Sequence, residues 1–332
     1  MSINTVSVAL RGRTHIPEAT RARILEAARE LNYVPNAVAR SLVRRSTQTI
    51  GVVLTNIMNP IQMRAAQAAE ECLVNAGYGT LFAISRSDVE KERRAVEHLQ
   101  GRQVDGILIY PADHRRVAHL AALRGTGFPV VLLARVPSAG CDVVALDDRH
   151  GAAMMTRHLL DLGHLRIAFL DGSHGHANRE KLRGYREAMA QAGAAFDPAL
   201  VVAPGGNSAS HGYRAMPTVM QRRSGPSAVF ASSDSLAVGA LRWCREQGLR
   251  VPGDVSLVGF DDIETAAFLD VPLTTVSYPA EEVGAAAVAR VVALAGRDGT
   301  ADRRPQDRVI EPRLVVRQSS GVNAKSRGEA GR

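Results

Sequence analysis

The chain has 332 residues, 45% hydrophobic and 22% charged, the composition of a globular protein with two or three cores. No apolar run reaches the roughly 18 residues of a membrane span, and no basic stretch followed by an apolar core opens the chain, so neither a membrane helix nor a secretory signal is expected. Cys72, Cys141 and Cys244 are odd in number and far apart, which argues against a disulfide framework or zinc site and suits a reducing cytoplasm.

The net charge of +8 is unevenly spread. Residues 1–48 hold eight arginines against three glutamates, and the last twelve residues add Lys325, Arg327 and Arg332 against Glu329. A basic head on a near-neutral body is the electrostatic footprint of a nucleic-acid binder, though a solvated charged surface would look similar.

In chain order, the first 48 residues show helical patterns and no strand-like run. Pro17 can open a helix that places Ile24, Leu25, Ala28 and Leu31 on one face, with Asn32 in the turn that ends it. Asn36 is a good N-cap for a short helix from Ala37 to about Val43, and 44–48 reads as a polar linker. From Thr49 onward, short β-branched runs alternate with helical patterns. Strands are expected at 50–54, 80–84, 106–110, 130–133, 143–146, 167–170, 201–203, 228–231 and 256–260. Helices are expected near 61–76, 88–101, 114–124, 149–162, 178–192, 208–223, 234–248 and 280–295. Continuous apolar strands separated by helices predict parallel sheets buried on both faces, and their number favours two doubly wound α/β lobes over one sheet. Ligands in such folds sit beyond the carboxyl ends of the strands, which between two lobes becomes a cleft. From Gly321 the sequence has no apolar periodicity, and disorder is expected over 321–332.

Several motifs occur in order along the chain. Residues 1–12 (MSINTVSVALRG) resemble the recognition helix of lactose-repressor-family proteins, and 33–42 (YVPNAVARSL) resembles that family's hinge helix. The resemblance continues through Asp105-Gly106, the run from His158 to His164, Arg179 with Gly184-Tyr185, Ser233-Asp234, 258–262 (VGFDD) and 272–276 (PLTTV). It implies a small all-α DNA-binding head, 1–48, with a partial helix-turn-helix, a third helix and a hinge helix at 36–44. Two periplasmic-binding-protein-like lobes would follow, one of 49–147 and 276–311, the other of 148–275 and 312–320. A helix-turn-helix needs a first helix to present the second, and Met1 stands where the family usually has valine. The expectation is therefore a start site further upstream, adding roughly twenty residues.

The resemblance places Ile3, Asn4 and Val8 against base edges, Asn4 able to pair with adenine and the other two able only to touch thymine methyls. It places Ser2, Thr5, Ser7 and Arg11 on phosphates, and Asn36 and Arg40 on the hinge helix that meets DNA. Leu42 matches the leucine wedge that the family inserts into the minor groove, although dimer packing would also account for it. Val6, Ala9 and Leu10 read as helix packing.

In the sensor, Arg179 and Asp261 match positions where relatives hold ligand hydroxyls or carboxylates. Asn59, Gln62, Ser85, Ser233, Asp234 and Tyr278 are weaker effector candidates from matching loops, and capping of the following helix is a strong alternative for Asp234. Ala134 stands where many sugar-sensing relatives carry aspartate, and Tyr278 where Gln or Arg is common, which hints at a flatter or less hydroxylated ligand. Phosphate-loop, nucleophile-elbow and zinc-protease signatures are absent from the sequence, and His174-Gly175-His176 has no third ligand nearby. The expectation is a cytoplasmic transcriptional regulator, a repressor and not an enzyme, needing no cofactor or metal and touching no membrane. Its partners would be a near-palindromic operator in double-stranded DNA, a small polar metabolite (a sugar or sugar-like acid), and a second copy of itself. The alternative is a solute-binding protein of the same fold feeding a transporter.

Overall fold

The structure, a computed structural model, describes residues 3–10, 16–31, 33, 41, 46–136, 139–173, 178–221, 225–296 and 302–323. They fall into two compact units, 1–48 and 49–332. In the first unit, α1 (Ile3–Leu10) packs against α2 (Glu18–Glu30), with Ala9 and Ile24 buried. Pro17 sits at the N-cap of α2, so the helix starts one residue beyond it. Only Ile24 of the expected apolar face is buried. Leu25 and Ala28 are half-buried and Leu31 is 78% exposed. Asn36, Arg40 and Leu42 of the expected hinge helix lie outside the described residues, as do Ser2 and Arg11.

The second unit begins with β1 (Thr49–Leu54), α3 (Pro60–Asn75), β2 (Gly79–Ile84), α4 (Val89–Gly101), β3 (Gly106–Ile109), α5 (Ala118–Gly125), β4 (Val130–Leu132) and β5 (Asp142–Leu146). It continues with α6 (Asp148–Asp161), β6 (Ile167–Leu170), α7 (Glu180–Gln191), β7 (Val201–Val202), α8 (Ala209–Met220), β8 (Ala228–Ala231), α9 (Asp234–Glu246) and β9 (Ser256–Val258). It closes with β10 (Thr275–Ser277), α10 (Ala280–Ala295), β11 (Asp307–Ile310) and β12 (Arg313–Val315).

Two parallel sheets result. One has the order β11-β5-β4-β3-β1-β2 and the other β7-β6-β8-β9, while β10 and β12 form an antiparallel ribbon. In the first sheet the period of two is visible in the packing. Val53, Ile107, Ile109, Val130 and Leu132 join Val96, Leu99 and Leu120 of α4 and α5 on one face. Val52, Leu54, Leu108, Val131 and Val144 meet Ala65, Ala69, Val283 and Val291 of α3 and α10 on the other. Each fully buried valine, leucine or isoleucine among them is worth about 1.5–3 kcal/mol. Helix starts follow local chemistry: Asn59 caps α3 ahead of Pro60, Asp88 caps α4, Asp147 caps α6 and Ser233 caps α9.

Three strands depart from the expectation. β10, β11 and β12 are short, and β11 begins with the exposed Asp307 and Arg308, so no apolar run announces it. What holds β11 in place is the fully buried carboxylate of Asp142. It accepts from Arg124 Nε at 2.8 Å, Arg290 Nε at 2.6 Å and the Gln306 amide at 3.1 Å. The same arginines bond the carbonyls of Arg303 and Arg304. Asp142→Ala would leave two guanidinium groups largely buried without their anion, at a cost of about 3–5 kcal/mol. Urea unfolding measures it, and a loss under about 1 kcal/mol would make the cluster incidental.

The C-terminal expectation also needs correcting at its start. Gly321 and Asn323 are tied to the second lobe: His164 Nε2 bonds the Gly321 carbonyl at 2.9 Å, and the Asn323 amide donates to Leu162 O at 2.8 Å. Residues 324–332 lie outside the described set. All three cysteines are free, and burial pushes the thiols of Cys141 and Cys244 up to about 11, so those two behave as small hydrophobes.

Candidate functional site

The carboxyl ends of both sheets face a single cavity of about 150 Å³. Thr55 follows β1, Tyr110 follows β3, and Leu133, Ala134 and Arg135 follow β4. Asp148 opens α6 just past β5. Gly172 and Ser173 follow β6, Ser232 follows β8, Asp261 follows β9 and Tyr278 follows β10. This is the crevice that open parallel sheets leave for ligands, here shared by two of them.

One corner of the cavity concentrates charge. Lys181 projects from the first turn of α7, and its ammonium lies 3.6 Å from Asp261 and 3.9 Å from Asp148. It donates to the Ser232 carbonyl at 3.0 Å and stands 3.8 Å above the ring of Phe260. Asn178 Nδ2 donates to Asp148 at 3.0 Å. Two carboxyl groups surround one ammonium, so the corner turns net negative only as Asp261 ionises. Burial pushes the Asp261 carboxyl up to about 7; Lys181 opposes the shift, and Asp234 and Asp148 add to it. The backbone there is also unusual: φ is +122° at Asp261 and +52° at Asp262, values that L-residues reach only when their surroundings hold them.

Two tyrosines also line the cavity. The hydroxyls of Tyr110 and Tyr278 share a hydrogen bond of 2.8 Å, and burial raises both phenols above their ordinary value. One hydroxyl donates to the other, which leaves a single O–H to offer a ligand. Arg135 faces Asp147 at 3.8 Å on the rim, and Asn207 accepts from Ser233.

The expected effector residues divide. Asn59, Gln62, Asp261 and Tyr278 line the cavity; Ser85, Arg179, Ser233 and Asp234 do not. Asn59 also caps α3, and Gln62 is committed to its own loop, accepting from the Thr55 amide at 2.9 Å and donating to Thr55 Oγ1 at 2.7 Å. Ser85 is fully buried against Leu54 O. Ser233 caps α9, and Asp234 is buried, accepting from Thr275 Oγ1 at 2.6 Å and the Ile263 amide at 2.9 Å. Arg179 turns to Asp171 at 3.2 Å. Lys181 and Arg135 are the lysine and arginine that line the cavity, with Lys181 in its charged corner. Helical spacing could have found it, because Lys181 lies three and four residues before the buried Gly184 and Tyr185, whereas Arg179 sits at the N-cap. Tyr110, Asp148, Asn178 and Asn207 were also missed, although Tyr110 ends one expected strand and Asp148 stands two residues past another. In the head, Ile3, Asn4, Thr5, Ser7 and Val8 all fall on α1, with Thr5 and Val8 half-buried.

A basic helical unit followed by two parallel-sheet lobes around a polar crevice defines a DNA-binding regulator with a ligand-sized cleft. Residues 1–36 match the bacterial regulatory proteins of the lacI family, and 156–320 match the periplasmic binding protein-like domain. The HTH-type transcriptional repressor PurR of Aliivibrio fischeri (strain MJ11) is 31% identical over 325 residues, spanning 96% of this chain and 95% of that protein. The HTH-type transcriptional regulator GalR of Escherichia coli (strain K12) is 34% identical over 324 residues, spanning 96% and 92%. A crystal structure of the lac repressor dimer bound to operator and the anti-inducer ONPF superposes with a TM-score of 0.87 at 26% identity, spanning 97% of this chain and 96% of that one. The chain belongs to the lacI family of bacterial transcriptional regulators. A match that includes the head sets aside the solute-binding alternative.

Proposed function

We propose that the protein is a cytoplasmic repressor that grips a near-palindromic operator as a homodimer and changes that grip when a small polar metabolite enters the cleft. It acts by binding, not catalysis. The observation that carries this reading is the convergence of both sheets' carboxyl ends on a polar cavity, in a chain whose first unit is basic and helical. Asp261, Asp148 and Lys181 take ligand hydroxyls, and the Tyr110–Tyr278 pair takes an acceptor and offers ring faces. This fits a sugar or sugar-like acid of about single-ring size. In the head, Asn4, Ile3 and Val8 read bases, while Ser2, Thr5, Ser7 and Arg11 hold phosphates and Asn36, Arg40 and Leu42 serve the hinge.

The lobes are assigned as 49–147 with 276–311, and 148–275 with 312–320. β11 supports the first assignment by pairing with β5. Ser319 supports the second, since its carbonyl accepts from Leu257 at 2.8 Å. Effector binding biases the angle between lobes and so the DNA grip.

Dimer formation has its own support. β2 is an edge strand that pairs with β1, and it leaves Leu81, Phe82 and Ile84 exposed, Phe82 by 52%. Bare apolar edges invite a partner. Phe82→Asp should halve the mass seen in sedimentation velocity; an unchanged dimer would place the interface elsewhere.

The ligand reading is tested by thermal shift with D-ribose, D-galactose, cellobiose, D-gluconate and hypoxanthine, because a ligand of the folded state raises its melting point. At least one should stabilise the protein. If none does, or if one does so equally in Asp261→Asn, the cleft reading fails.

A further inference from the structure

Arg64 lies on α3, the helix that lines the cavity with Ile61 and Gln62 and is capped by Asn59, yet its guanidinium points away to the second lobe. Nη1 donates to the main-chain carbonyl of Asp262 at 3.2 Å, and Nη2 stands 3.6 Å from the Glu281 carboxylate. Asp262 directly follows Asp261, whose carboxylate stands in the cleft. Both residues have positive φ, a conformation that non-glycine residues keep where their surroundings support it.

The other restraints on this turn come from its own lobe or from β10. The amide of Asp261 donates to Val276 O at 2.8 Å, that of Asp262 to Thr275 Oγ1 at 3.3 Å, and that of Ile263 to Asp234 Oδ2 at 2.9 Å. Arg317 holds the Asp262 carboxylate at 2.7 Å and the Leu273 carbonyl at 2.9 Å. Among the described contacts, Arg64 is the restraint that reaches the turn from α3.

We propose that Arg64 is a positioning residue, through which the first lobe sets where the Asp261 carboxylate stands, so that lobe spacing and ligand contact change together. A guanidinium presents its donors in a rigid planar fork, so it fixes the relative geometry of a carbonyl and a carboxylate more firmly than a flexible ammonium does. A ligand that draws Asp261 inward therefore drags the Asp262 carbonyl against α3. Conversely, a shift of α3 moves or releases the turn, because coupling between two sites is reciprocal. The link to a ligand rests on the cleft reading above; the positioning of the turn does not.

Hydrogen–deuterium exchange on the full chain, with no ligand present, tests the positioning directly. In Arg64→Ala the amides of 261–263 should exchange about tenfold faster or more, while β3 and β8 keep the parent's rates, since local opening is separable from global unfolding. Arg64→Lys should fall between the two. Exchange at 261–263 as slow as in the parent would overturn the proposal, and so would an equal acceleration across β3 and β8, which marks a merely structural role. If Arg64→Ala does not fold, the lysine variant decides by the same comparison.

Discussion

Asp261→Asn will make the protein more stable at pH 8 while abolishing its response to the effector. Burial pushes this carboxyl from 3.8 up to about 7, with Asp234 and Asp148 adding to the shift and Lys181 opposing it. A carboxyl whose folded pKa is raised lends its full stability in the protonated form, below about pH 4, and loses it as pH climbs through about 7. The parent's stability should therefore fall between pH 4 and pH 8, by about 2–4 kcal/mol from this residue. Asparagine cannot ionise, tolerates positive φ and keeps the side chain's shape. Some slope will remain, because burial also pushes Asp234 up to about 6. Urea unfolding at pH 5 and pH 8 in both proteins measures the difference, and equal slopes would remove Asp261 as its source.

Lys181→Met will weaken effector binding by about 2–5 kcal/mol, the range for removing one partner of a desolvated polar contact. Without the ammonium, Asp148 and Asp261 face the cavity with no cation between them, Asp261 is held more firmly in its neutral form, and the ligand loses a charged donor. Arg179→Lys, which keeps a cation beside the buried Asp171 carboxylate, should leave the affinity unchanged. Calorimetry with the ligand that gives the largest thermal shift separates the two positions. The reverse pattern, with Arg179 sensitive and Lys181 silent, would mean that the helix start turns in the liganded state.

Both outcomes depend on how the site was written into the sequence. The central strands were legible because both faces of the sheets are covered there, so 50–54 and 228–231 read as nearly continuous apolar runs. β11 was not, because its place is fixed by Asp142 and two arginines whose mutual contact spans Arg124 to Arg290 in sequence. Asp261 was legible from its motif, and its position after β9 agrees with the rule for parallel sheets. The motif drew attention to Arg179, which turns to Asp171 in the structure, whereas helical phase would have drawn it to Lys181. Asn59 and Gln62 were found at the cavity, but their polar atoms are spent largely on the cap of α3 and the loop at Thr55, which residue type alone does not reveal. Arg64 is invisible at the sequence level because its partners, Asp262 and Glu281, lie some two hundred residues away.

The central claim is that occupancy of the cleft changes the grip on DNA. Fluorescence anisotropy decides it, using a DNA site selected from genomic fragments and titrated at one fixed salt concentration, because phosphate contacts make affinity salt-dependent. The parent should change its affinity for that site when the stabilising ligand is added, and Asp261→Asn should bind the site the same with and without it. Equal DNA affinity in the parent at zero and saturating ligand would contradict the account.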